Sequence, residues 1–133
     1  MTAFALNGNT YLAVAVWRVQ NATTGAFSYS SNSLFINTTN SSWCFVPVQY
    51  VPTTAATDCA ATTIGNSTFL LFTNFRTDDG LYDINSTLLV WNSRKSLFDL
   101  YGQIPTGALD AEFSRMDKAL ILQSRNTTVY HLI

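Results

Sequence analysis

Charge is what this sequence has least of. Lys, Arg, Asp and Glu make up 11% of 133 residues and the net charge is -1, with a single glutamate, Glu112, and a single histidine, His131. A chain so poor in Lys and Arg has no basic stripe to neutralise phosphates and no polybasic patch for an anionic membrane. Nucleic acid and membrane surfaces are therefore poor partners for it. Long apolar runs are missing too: Tyr11 to Trp17 is strand-length, far short of the ~20 residues that cross a bilayer, so no membrane insertion is expected. The opening Met1–Asn7 has neither the basic start nor the apolar stretch of a secretory leader. Catalytic constellations are scarce as well. His131 sits in an alternating terminal segment with no nucleophile and carboxylate spaced around it, and no Gly-x-Ser-x-Gly elbow occurs. Glu112 and Asp110 stand two apart on one strand, a poor separation for a glycosidase pair. The chain is not expected to be an enzyme.

What is present is a 47% hydrophobic, 14% aromatic composition, ample for a core, solubilised by Thr, Ser and Asn in place of charge. Six Asn-x-Ser/Thr acceptors occur, at Asn21, Asn37, Asn40, Asn66, Asn85 and Asn126. Chance pairing at this composition yields roughly two to three, so the excess points to N-linked glycans and an extracellular, secreted or cell-surface place. With no leader at its start, the sequence reads as a piece of a longer secreted protein or as a chain whose leader has been removed. Cys44 and Cys59 suit an oxidising compartment and would close a loop of about 15 residues, worth on the order of 3 kcal/mol if unstrained. The alternative, two thiols that never meet, stays open.

The helical period fails almost everywhere. Short blocks rich in Val, Leu, Phe and Thr are broken every eight to twelve residues by Asn, Gly, Ser or Pro, which predicts an all-β fold. Expected strands are 2–6, 11–18, 33–37, 44–51, 59–64, 68–75, 87–92, 97–104, 111–116, 119–124 and 128–132. Gln49-Tyr50-Val51-Pro52-Thr53 is echoed by Gln103-Ile104-Pro105-Thr106 about fifty residues later, the length of one four-stranded unit. The repeat divides the chain into units at 1–57, 58–109 and 110–133, the third without a fourth strand. An edge of this kind presents unpaired backbone groups and invites another strand. The nearly continuous apolarity of Tyr11–Val16, Phe69–Asn74 and Ala119–Ser124 suits strands buried on both faces, as between stacked sheets.

The run Leu97-Phe98-Asp99-Leu100-Tyr101-Gly102-Gln103-Ile104-Pro105-Thr106-Gly107-Ala108-Leu109-Asp110-Ala111-Glu112-Phe113 resembles the EAR or epitempin repeat. Thr68–Arg76, Tyr11–Arg18 and Leu88–Asn92 are similar to other strands of that repeat, so about two and a half copies cover the chain. The first copy departs by lacking the Gly after Pro52-Thr53 and by its long loop Val19–Asn32. The resemblance implies a seven-bladed β-propeller of extracellular or cell-surface proteins, here a β-propeller-like stack of four-stranded antiparallel blades, incomplete within this chain, that acts by protein–protein contact without a catalytic centre. In such a blade Cys44 and Cys59 would fall at opposite ends of the sheet, which disfavours their bond. Partners are then proteins: further blades of a longer chain, or copies of this one. The alternative is a structural glycoprotein subunit that self-assembles head to tail into an extracellular filament. No cofactor is expected. Calcium is the one ion the residues suggest, at Asp58 and Asp110 if these recurring positions line a central channel, or in the loop Asp78–Asn85. Backbone capping by Asp58 and Asp110 is the plainer alternative. Trp17, Trp43 and Trp91 suggest a carbohydrate platform, against a packing role of one Trp per repeat.

Overall fold

A computed structural model describes residues 1–38, 45–81, 84–104, 110–114, 119–123 and 127–131; for 33–38, 45 and everything from 110 onward only the backbone path and pairing are described. Asn40, Trp43, Cys44 and Asn126 lie outside the described residues. Among the described residues the protein is all-β. The strands are β1 (Thr2–Leu6), β2 (Asn9–Val14), β3 (Val19–Gln20), β4 (Phe27–Ser28), β5 (Ser30–Thr38), β6 (Phe45–Thr54), β7 (Ala56–Ile64), β8 (Ser67–Asn74), β9 (Ser86–Asn92), β10 (Leu97–Ile104), β11 (Asp110–Ser114), β12 (Ala119–Gln123) and β13 (Thr127–His131).

They form three antiparallel sheets ordered β1-β2-β5-β6, β7-β8-β9-β10 and β11-β12-β13, with β3-β4 as a small separate ribbon, and none of the sheets closes on itself. Each large sheet is a meander in chain order, the form of a propeller blade, and three blades in a row make an incomplete propeller-like stack. Local chemistry sets the turns. Asn7 and Gly8 both take left-handed backbone (φ 50 and 80) between the paired Leu6 and Asn9, the two-residue link whose twist matches that of the strands. Gly65 (φ 61) opens the equally short Gly65–Asn66 link between Ile64 and Ser67. Ala55 joins the first sheet to the second with φ 46 and is fully buried. A β-carbon in that region costs roughly 1–2 kcal/mol, and the Ala55 amide donates to Tyr29 O at 2.8 Å, pinning the reversal.

Two apolar clusters account for the stacking. The first lies between sheets one and two and joins Tyr11, Ala13 and Val51 to Leu70, Phe72 and Phe98. The second, Phe69, Leu71, Leu88 and Ile104, occupies the opposite face of sheet two, on the side where β11 packs against β7 and β8. Seven of the eight residues of β8 are therefore buried. That explains its unbroken apolarity: the strand has no solvent face on which to alternate.

Candidate interaction surface

The contact between sheets one and two shows how one blade is held on the next. Phe98 meets Phe4 edge-on with centroids 6.1 Å apart and Trp91 at 5.2 Å, while Trp91 lies 6.3 Å from Tyr11. Trp91 is thus an interface residue. Gln49 of β6 reaches across to the outer strand of the next sheet, its Oε1 accepting from Phe98 N at 2.8 Å and its Nε2 donating to Phe98 O at 2.9 Å. One carboxamide satisfies both backbone groups of that residue, as a neighbouring strand would. Cys59 of β7 is buried, and its Sγ donates to Ala13 O of sheet one at 3.3 Å. Burial pushes this thiol above its ordinary pKa. Cys59 is a free thiol, so the structure contains no bond from it to Cys44.

At the end of the stack where β6 passes into β7, buried Asn74 gathers three chain segments. Its Oδ1 accepts from Thr54 N at 3.0 Å, and its Nδ2 donates to Asn85 O at 2.8 Å and to Thr87 Oγ1 at 3.1 Å. Thr73, fully buried beside it, accepts from Asp58 N at 3.0 Å and donates to Asp58 O at 3.2 Å. A β-bulge lies between Ala56 and Asp58, where the Asp58 backbone meets this threonine hydroxyl. Asp110 begins β11, paired with Gln123. Among the described residues no group of three His, Cys, Asp or Glu side chains comes together.

The loop after β8 locks onto the end of the β3–β4 ribbon and the Tyr29 that follows it. Asp78 accepts from Tyr29 N at 2.6 Å and Ser28 Oγ at 3.0 Å, and the Arg76 guanidinium lies 4.6 Å from the Tyr29 ring centre. Both Asp78 oxygens are thus engaged within the protein. Trp17 completes this corner, 5.3 Å from Tyr29 and 5.9 Å from Phe75, with 37% of its surface still exposed. Nearby, a hollow of about 400 Å³ is lined by Pro52, Thr54, Asn74, Asn85, Thr87 and Gln103. Its amides already serve one another, Asn85 Nδ2 donating to Gln103 Oε1 at 2.8 Å.

The glycan acceptors occupy different settings. Asn66 is an exposed residue at the β7–β8 hairpin tip. Asn21 is exposed ahead of a short turn, its Oδ1 accepting from the Thr23 and Thr24 amides at 2.8 and 3.1 Å. Asn85 is exposed beside β9 with its Nδ2 engaged by Gln103. Asn37 lies within β5, in register with Tyr11 and Val46.

Three surfaces remain for contact. The outer strands β6 and β10 are blunted as edges, by Pro47 and Pro52 in one and by a bulge between Leu100 and Gly102 in the other. β13 is the outer member of sheet three among the described residues. The face of sheet one turned away from sheet two carries Ala3, Ala5, Leu12, Val14 and Tyr50, with Tyr50 60% exposed.

Stacked four-stranded meanders joined face to face define a β-propeller-type repeat module. Residues 45–92 match the family model of the EPTP domain, the epitempin repeat, in agreement with the resemblance seen in the sequence. The match runs from β6 through β9 and is one strand out of phase with the sheets, because the repeat begins with the last strand of one sheet and continues into the next. No curated protein matches the chain.

Sequence reasoning missed Gln49, Asn74 and Asp78 as contact residues. Asn74 had a visible cue, since it stands where the first copy of the same strand has Val16: a polar residue in an otherwise apolar row that must find partners when buried.

Proposed function

We propose that this chain is an extracellular, N-glycosylated β-propeller-type repeat module that works by protein–protein contact and is completed by further blades or by neighbouring chains. The observation that carries the reading is the EPTP match laid over a stack of open sheets whose first member leaves an apolar face uncovered. A repeat of this kind stabilises itself by burying each face on the next unit, so an uncovered face is where a partner adds most. Exposed Asn21 and Asn66 support the glycan part of the reading, since an acceptor must stand clear of the core for a sugar to fit. On this reading the module performs no catalytic step and needs no cofactor.

Expression through a secretory pathway tests it. The secreted protein is expected to lose mass on treatment with an N-glycosidase, and Asn66→Gln to remove one glycan's worth. Secretion of a chain with no sugar at any of the six acceptors would overturn the glycoprotein reading.

A further inference from the structure

We propose that the hollow between sheets one and two is the seat of the first sugar of an N-linked glycan on Asn85, an N-acetylhexosamine that braces one blade against the next. This rests on the glycoprotein reading and gives one of its acceptors a structural task. The walls of the hollow come from both sheets: Pro52 and Thr54 from β6, Asn74 from β8, Thr87 from β9 and Gln103 from β10, with Asn85 at the entrance to β9. Its volume of about 400 Å³ lies at the small end of the range of roughly 300–1,000 Å³ for small-molecule sites. None of the described side chains that line it is charged. Hydroxyls and carboxamides suit the hydroxyls and acetamido group of a neutral sugar, and Pro52 and Ile84 offer apolar surface to its ring. A charged ligand would meet no counter-charge there.

Asn85 brings the sugar to this place covalently. It heads the acceptor Asn85-Ser86-Thr87 and is exposed, so the rest of a glycan has a way out to solvent. Its Nδ2 carries two hydrogens, and one donates to Gln103 Oε1 at 2.8 Å, which fixes the amide against the wall of the hollow. The other is the one a sugar replaces. In that transfer Nδ2 bonds to C1 of the sugar of a polyprenyl diphosphate-linked oligosaccharide, the C1–O bond breaks, the diphosphate leaves with the electron pair and Nδ2 gives up a proton. Asn85 Oδ1 and Gln103 Nε2 have no partner among the described residues and remain for the incoming ring. The acceptor must be modified before sheet two forms, because in the sheet Ser86 is fully buried and Thr87 Oγ1 accepts from Asn74 Nδ2 at 3.1 Å. Asn66 is the contrast: it stands with Gly65 and Ser67 on an exposed hairpin tip, where a sugar meets water.

Thermal unfolding of the secreted chain, with its glycans trimmed by an endoglycosidase to one sugar per acceptor, tests the proposal. Peptide mass spectrometry is expected to find Asn85 occupied. In the trimmed form Asn85→Gln should lower the midpoint by at least about 3 °C, whereas Asn66→Gln should leave it in place. Made without any sugar, the Asn85→Gln chain and the unaltered chain should unfold together, which assigns the loss to the sugar and not to the side chain. A second readout needs no variant: the Thr54 amide, held by Asn74 Oδ1, should exchange more slowly in the trimmed chain than in the sugar-free one. An Asn85 without sugar beside an occupied Asn66, or a midpoint unchanged by losing the Asn85 sugar, would overturn the brace and leave the glycoprotein reading standing. A chain with no sugar at any acceptor would overturn both.

Discussion

Among the described residues sheet two is covered on both faces and sheet one on only one, although both are four-stranded antiparallel meanders. Leu70 is fully buried, whereas Leu12, its counterpart in the repeat, is half-buried. Position in the stack, more than the residue, decides what a side chain contributes. A blade is a module whose stability is shared with its neighbours.

Substitutions at equivalent positions separate the two sheets most sharply. Leu70→Ala should cost about 2–5 kcal/mol, the range for emptying a packed core site. Leu12→Ala in the dilute chain should cost about 1 kcal/mol, since much of its side chain still meets water. Denaturant unfolding of both variants reads the difference, and equal losses would break the comparison. Next in size is the junction. Asn74→Leu removes the partner of the Thr54 amide and the Asn85 carbonyl, and should cost about 2 kcal/mol, the low end of about 1–3 for each group, because both are only partly buried. A loss under half a unit would show that water replaces the amide there.

Gln49→Ala should cost about 1 kcal/mol, because Phe98 N and O lie nearer the surface and regain some hydration. Faster hydrogen exchange at Phe98 alone, with β8 unchanged, is its signature. Cys59 gives a smaller and pH-dependent effect. Its pKa is raised by burial, so the fold favours the neutral thiol. That contribution is complete below the ordinary thiol pKa and is lost as pH rises from there toward the raised folded value. Stability should hold near pH 7 and decline as pH rises above the ordinary thiol pKa, and alkylation of native Cys59 should be far slower than in denaturant. Rapid labelling of the native protein would contradict its place against Ala13.

The smallest effect is expected at Asp99, exposed on β10. Asn92 Nδ2 donates to it at 2.7 Å and Lys95 Nζ at 3.3 Å, and these two bonds, Asn92 foremost, hold its carboxyl below the usual aspartate range. The stabilisation is present above the ordinary aspartate pKa and disappears as pH falls through the lowered folded value. Asp99→Asn should flatten that acid limb slightly. An unchanged acid limb would remove Asp99 from the account.

Much of this was legible in the sequence because strands announce themselves by composition and by the turns between them. Leu97–Ile104 is bounded in the fold as expected, and Asn7-Gly8 and Gly65-Asn66 mark their hairpins plainly. β2 ends at Val14 and not Arg18, since the chain leaves the sheet where Val16 O accepts from Ser31 Oγ at 3.2 Å and Arg18 stacks 3.9 Å from the Phe27 ring centre. The ribbon of β3 and β4 escaped notice because two-residue strands are too short to alternate. Ala55 hid the turn between sheets: the later copy offers Gly107 near that position, and an alanine in left-handed backbone carries no compositional mark. The unit boundaries expected near residues 58 and 110 fall where β7 and β11 begin their sheets, whereas the family match is offset by one strand, β6 opening it while closing sheet one. The contacts of Gln49 and Asp78 span 49 residues each, beyond any local pattern.

Residue-resolved hydrogen exchange, comparing β2 with β8 in the same chain, tests the central claim most directly. Slowest exchange in β8, which is buried on both faces, and faster exchange in β2, which is covered on one, is the predicted result. Equal protection of the two strands would contradict the claim that burial between sheets decides what each strand contributes.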